Sequence, residues 1–261
     1  MSPPRPARPA RATLHAEWTK LRTLPATGRL LLAIVALTVL TGCAASALVS
    51  CDTGTCGYDP AEISLFGVQA GQSLVAVLAV LAITGEYGSG MIRLTLAAMP
   101  DRTGVLAAKA ALLAALILGA ASVAVLASVL ATRPILLHNG FPADVLTSGS
   151  MLRAAIGSIL YLALIALLSL GVATAIRDSA TAIAAVLGLL YLFPGLILLV
   201  SDDGWRRLLW QVSPMNAGLA VQATTDLAAL PLSPWEGLGV LSAWALAALL
   251  LGGLLLRKRD A

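Results

Sequence analysis

Gly85-Glu86-Tyr87-Gly88-Ser89-Gly90-Met91-Ile92-Arg93-Leu94-Thr95-Leu96-Ala97-Ala98-Met99-Pro100-Asp101-Arg102 is a short charged piece between two long apolar runs. Glu86, Arg93, Asp101 and Arg102 would each be costly in hydrocarbon, so the stretch has to separate two membrane spans and cannot lie within one. Its apolar residues nonetheless recur at helical spacing. Met91, Leu94 and Ala98 fall at i, i+3 and i+7, and Ile92, Leu96 and Met99 at i, i+4 and i+7. Glu86, Gly90 and Arg93 share the polar side. The pattern predicts an amphipathic surface helix over 86–99, stopped by Pro100, of a kind that fits a groove on a second protein.

Outward from this stretch, the chain is 261 residues long, 59% hydrophobic and 11% charged. A soluble domain carries roughly 25% charged residues, so the balance is that of a polytopic membrane protein. Six charge-free runs reach the length of a span, at 30–50, 63–84, 110–132, 154–176, 179–200 and 237–256. The expected fold is an all-α integral membrane protein with six transmembrane helices in a single domain over 13–261, preceded by a disordered basic tail over 1–12. Thirteen of the 17 basic residues fall on the side of the two termini, among them Arg93, Arg102, Lys109, Arg177 and Arg257. The positive-inside rule therefore places both termini in the cytoplasm. The net charge of +4 reports this topology, and no nucleic-acid partner is expected.

Before the first span, Leu14, Trp18 and Leu21 recur at i, i+4 and i+7, which predicts a helix lying in the lipid interface and ended by Pro25. Leu40-Thr41-Gly42-Cys43 has the form of a lipobox, but the apolar run continues past Cys43 to full span length and five spans follow. Cys51 and Cys56 lie in an outside loop, where they form either a disulfide or two free thiols. Asp52, Asp59 and Glu62 have no histidine beside them, and no metal site is expected there. Gln69 and Gln72 place two amides in the second span beside a Gly67-x-x-x-Gly71 pair, which lets helices approach closely. Arg177-Asp178 alone joins the fourth and fifth spans into a tight hairpin. Phe193-Pro194-Gly195 predicts a kink in the fifth. The segment 201–236 is too long for a structureless loop, and short helices are expected within it.

Several chemistries are excluded. A phosphate-binding loop needs Gly-x-x-x-x-Gly-Lys followed by Ser or Thr. The three lysines, Lys20, Lys109 and Lys258, are followed by Leu21, Ala110 and Arg259. No His-Glu-x-x-His occurs, and the only histidines, His15 and His138, lie outside the six runs. A proton-coupled carrier is disfavoured by spans free of ionisable residues.

Glu17-Trp18-Thr19-Lys20-Leu21-Arg22-Thr23, the stretch from Gly85 to Ala97, and Ser213-Pro214-Met215-Asn216-Ala217-Gly218 before the last span resemble the permeases of type-2 ATP-binding-cassette (ABC) exporters, particularly actinobacterial ones. The resemblance implies a permease subunit in the bacterial plasma membrane that has no ATPase site. It would pair with a second permease copy and with separate P-loop ATPase subunits, which bind the ATP and Mg²⁺. It implies a coupling helix after the second span, with Glu86, Tyr87, Gly90, Met91, Ile92, Arg93 and Leu96 meeting the ATPase. Spans two and five would face the transport path, making Gln69, Gln72, Tyr191, Phe193 and Pro194 candidate path-lining residues. The apolar surfaces suit an amphiphilic cargo. A non-transporting scaffold or sensor subunit, or a secondary carrier, is the alternative.

Overall fold

The computed structural model describes residues 25–51, 57–88, 90–91, 102–142 and 148–258. Leu14, Trp18, Leu21, Cys56, Ile92, Arg93 and Leu96 lie outside the described residues, as does most of the expected 86–99 helix. Ten α-helices are found among the described residues: α1 (Pro25–Ala47), α2 (Pro60–Leu65), α3 (Gly67–Gly88), α4 (Arg102–His138), α5 (Gly149–Ile176), α6 (Ser179–Leu187), α7 (Phe193–Ile197), α8 (Asp203–Val212), α9 (Pro214–Leu219) and α10 (Pro234–Lys258). A π-helical turn, Gly188–Leu192, joins α6 to α7. Two 3₁₀ turns, Ala220–Gln222 and Leu227–Ala229, follow α9. Six helical stretches are long and apolar enough to cross a membrane: α1, α2 with α3, α4, α5, α6 through α7, and α10.

α5 is the centre of the bundle. It packs against α3, α4, α6 and α10, and Tyr161, Leu162, Ile165, Leu168 and Leu170 along it are fully buried. α1, α4 and α10 lie at the periphery and expose Leu32, Leu40, Leu126, Leu130, Leu250 and Leu254. Hydrocarbon side chains pointing outward are what a bilayer solvates, so these helices are apolar all round and show no one-sided stripe. Inside, buried hydroxyls return to their own helix. Ser158, Ser169 and Thr174 donate to the carbonyls of Ala154, Ile165 and Leu170, four residues back, at 2.7–2.8 Å. No buried hydroxyl of this set needs water, which the bilayer core cannot supply.

Close helix approach is set by glycine. A Cβ on Gly67 would sit 1.8 Å from the Thr38 carbonyl oxygen of α1, and one on Gly71 would sit 2.3 Å from Thr38 Oγ1. The Gly-x-x-x-Gly pair is therefore the seam between α1 and α3. Gly171 and Gly252 do the same for α5 and α10, where a Cβ on Gly252 would meet the Gly171 carbonyl oxygen at 2.7 Å.

The helices run past the charge-free segments, so five of the six membrane-length stretches carry ionisable residues near their ends, among them Arg29, Glu86, Lys109, Arg153 and Arg257. α3 continues to Gly88 and includes Glu86, and α4 begins at Arg102 and includes Lys109. The expectation of spans without ionisable residues is corrected accordingly: the two charges neutralise one another across the helix pair, which is what makes the longer helices tolerable. At the α5–α6 hairpin Arg177 takes the left-handed conformation (φ 68°) and closes α5, its N–H bonding to the Ala173 carbonyl at 2.8 Å. Asp178 then caps α6, accepting from Thr181 N–H and Oγ1 at 2.8 and 2.7 Å. These bonds hold its carboxyl below the usual carboxylate range.

Candidate functional site

The end of the bundle away from the start of α1 and the end of α10 carries a cleft of about 710 Å³. Thr41 and Ala45 of α1 and Leu48 just after it supply one wall, Glu62 and Ile63 of α2, Phe66 at the break and Gln69 of α3 supply another, and the folded-back segment supplies Trp210, Met215, Asn216 and Leu219. Glu62, Phe66 and Gln69 fall at i, i+4 and i+7, which keeps them on one wall across the short break between α2 and α3.

The elements around the cleft are pinned by polar clamps. Asp59 caps α2 by accepting from Ala61 N–H at 2.9 Å, and its carboxylate also accepts from the N–H and hydroxyl groups of both Thr224 and Thr225. Arg153 of α5 donates to the Ala223 carbonyl beside it. Ser128 of α4 donates to the Ser64 carbonyl at 2.8 Å, and Asn139 Nδ2 donates to the Ser46 and Val49 carbonyls at 2.9 and 3.0 Å. Gly140 (φ 87°) closes this corner, where a side chain would meet the Cys51 carbonyl oxygen at 2.6 Å. Cys51 is disulfide-bonded, whereas Cys43, inside α1, is a free thiol.

The candidate path-lining residues separate into two groups. Gln69, Gln72 and Tyr191 come together. The Tyr191 hydroxyl donates to the Gln69 backbone carbonyl, leaving the Gln69 side chain on the cleft. Gln72 does not line open space: it is fully buried, with its Oε1 accepting from the Tyr161 hydroxyl and its Nε2 3.4 Å from Met215 Sδ. A buried amide needs such partners, and the bonding is its reason for facing inward. Phe193 and Pro194 are half-buried and are not among the residues lining the cleft. The kink expected at Pro194 takes the form of the π-helical turn that precedes it. Proline offers no N–H to the carbonyl four residues back, and Phe193 N–H bonds instead to Gly188. Tyr161 escaped sequence reasoning, as did the roles of Met215 beside Gln72 and of Asp59 as a clamp on Thr224 and Thr225. The one available signal was a lone tyrosine in a helix whose other buried polar groups are the small hydroxyls of Ser158, Ser169 and Thr174.

A second polar cluster occupies the opposite end. Lys109 Nζ pairs with Glu86 Oε1 at 2.9 Å and also donates to the Ala82 carbonyl at 3.2 Å, both side chains being buried. The Arg177 guanidinium stands 5.4 Å from the centre of the Tyr87 ring and donates to the Leu255 carbonyl at 3.3 Å. Ser179 of α6 donates to Thr84 of α3 at 2.9 Å, and Arg257 of α10 reaches Thr103 of α4 at 3.3 Å. Glu86 and Tyr87 therefore belong to the last turn of the second span. The expected helix does not begin at Glu86, and Glu86 does not sit on an exposed polar face: α3 ends at Gly88, Gly90 follows with φ 70°, and burial beside Lys109 claims the carboxylate. Met91, just beyond, is exposed.

Six apolar spans, a polar cluster at one end and a ligand-sized cleft at the other fit a transport subunit. The sequence profile described as "ABC-2 family transporter protein" matches residues 65–261. The chain belongs to the ABC-2 transporter family. No curated protein matches the sequence. As an ABC-2 family member it is a multi-pass membrane permease component of an ABC transporter, a subunit type with no catalytic site of its own and with an ATPase for a partner. Among the described residues of this ABC-2 chain, no group of His, Cys, Asp and Glu is arranged to hold a metal ion.

Proposed function

We propose that this ABC-2 chain is the membrane half of an ATP-driven exporter in a bacterial plasma membrane, with both termini in the cytoplasm. It pairs with a second permease copy and with P-loop ATPase subunits that bind the ATP and Mg²⁺. The cargo is an amphiphile taken up by the cleft. The observation that carries this reading is the anchoring of the connection between α3 and α4. Its two stems are joined by the buried Glu86–Lys109 pair, and α6 and α10 are bonded to the same region through Ser179, Thr84, Arg257 and Thr103. A displacement imposed on residues 89–101 by a closing ATPase dimer would reach four spans through short polar bonds and not through a slack loop.

In this reading Gly90, Met91, Ile92, Arg93 and Leu96 meet the ATPase, while Glu86 and Tyr87 anchor the stem. The test is purification of the full chain from its native membrane, with native mass spectrometry of the complex. A P-loop ATPase is expected to accompany the wild-type chain. Replacing residues 89–99 by a flexible Gly-Ser linker is expected to lose it, and Arg93→Glu to weaken it, with the helical content of the permease unchanged. Undiminished ATPase association in the linker variant refutes docking through this segment.

A further inference from the structure

We propose that the cleft selects amphiphiles carrying a protonated amine head, with Glu62 as the counter-ion; this deepens the transport reading above by naming the chemistry of the cargo. The cleft volume of about 710 Å³ lies in the range of small-molecule sites, roughly 300–1,000 Å³. Its walls are mostly hydrocarbon, with Leu48, Ile63 and Leu219 among them. Five polar side chains on those walls make no side-chain hydrogen bond or ion pair among the described residues, Tyr58, Glu62, Gln69, Trp210 and Asn216, and Glu62 is the charged one. Their chemistry is asymmetric. Glu62 supplies a carboxylate, the two amides can turn their carbonyl oxygens to the space, and among the described residues no Lys, Arg or His lines the cleft.

The neighbouring carboxylate, Asp59, is consumed by Thr224 and Thr225, which leaves Glu62 as the acidic group facing the space. A primary ammonium has one positive charge and three N–H donors, matching one carboxylate and two amide oxygens. An anionic head would meet Glu62 as a like charge, and a neutral head would gain no ion pair. Trp210, also on the wall, offers a ring face to the same cation.

The test uses the full chain in phosphatidylcholine nanodiscs. Saturable binding of radiolabelled dodecylamine and 1-dodecanol is measured at neutral pH, with empty nanodiscs subtracted. Dodecylamine is expected to bind about 10-fold more tightly than dodecanol, a ratio equal to about 1.4 kcal/mol. Glu62→Gln is expected to abolish that preference while leaving dodecanol binding unchanged, and Glu62→Asp to retain most of it. Because Glu62 is exposed and unbonded, neither variant removes a fold contact. A Glu62→Gln variant with undiminished amine preference, equal loss of both ligands, or no saturable amine binding by the wild type overturns the proposal. The readout needs no ATPase. Absence of an ATPase from the purified wild-type chain alone would sink the transport reading, and an unchanged preference in Glu62→Gln alone would sink this one.

Discussion

Lys109 and Glu86 show how much a single pair can decide. Twenty-three residues separate them in the chain, yet their side chains meet at 2.9 Å in a buried position between α3 and α4. A buried charge without its partner keeps its desolvation cost and loses its compensation, so breaking such a pair typically costs about 3–5 kcal/mol, whereas replacing both charges by apolar groups is near neutral. Lys109→Met is therefore expected to lower the thermal midpoint of the detergent-solubilised chain markedly, and the Glu86→Leu/Lys109→Met double variant to recover most of the loss. A double variant as unstable as the single one would mean that the pair is not what holds this corner. The sequence marked Glu86 as a surface residue because a lone charge is costly in hydrocarbon and because Glu86, Gly90 and Arg93 fall on the polar side of one helical pattern. The partner that buries it arrives from the next helix, at a register that only packing sets.

At the scale of elements, glycine carries the argument. The chain has 23 glycines, and apart from the Gly67-x-x-x-Gly71 pair their spacing does not separate those at a seam from those facing outward. The structure does. A Cβ on Gly67 would overlap backbone of α1, while Gly119 in α4 has nothing within 4 Å. Overpacking a tight contact costs roughly 1–3 kcal/mol, and an alanine in an open helical position is favoured over glycine by about 1 kcal/mol. Gly67→Ala is expected to lower the melting temperature and loosen α1 from α3. Gly119→Ala should leave it unchanged or raise it slightly. Equal effects in the two variants would remove Gly67 from the seam. The Gly67-x-x-x-Gly71 spacing was legible as a packing signal, but its partner, Thr38, was not, since helix pairing is a tertiary choice. The turn around Pro194 was legible as a disturbance of the fifth span; its π geometry depends on how that helix relieves the lost hydrogen bond.

Over the whole molecule, the six apolar runs were enough to give the layout, because a bilayer demands long apolar helices whatever their order of packing. The cleft was not legible: it is assembled from α1, α2, α3 and a folded-back segment far apart in the chain, and although Glu62, Gln69 and Asn216 each stood in a noted stretch of sequence, nothing there put them on one cleft. Orientation is the remaining global property, and the charges argue it. The end holding Lys109, Arg177 and Arg257 also holds the start of α1 and the end of α10, while Arg133, Arg153, Arg206 and Arg207 fall at the end that holds the cleft. Excess positive charge stays on the cytoplasmic side. In a Cys43→Ser background, Ser201→Cys and Lys258→Cys test this directly, since both positions are exposed and lie at opposite ends of the bundle. A membrane-impermeant maleimide applied to intact cells is expected to label Ser201→Cys at once and Lys258→Cys only after permeabilisation. The reverse pattern would place the cleft in the cytoplasm and turn the direction of transport from export to uptake; labelling of both positions in intact cells would break the six-span layout itself.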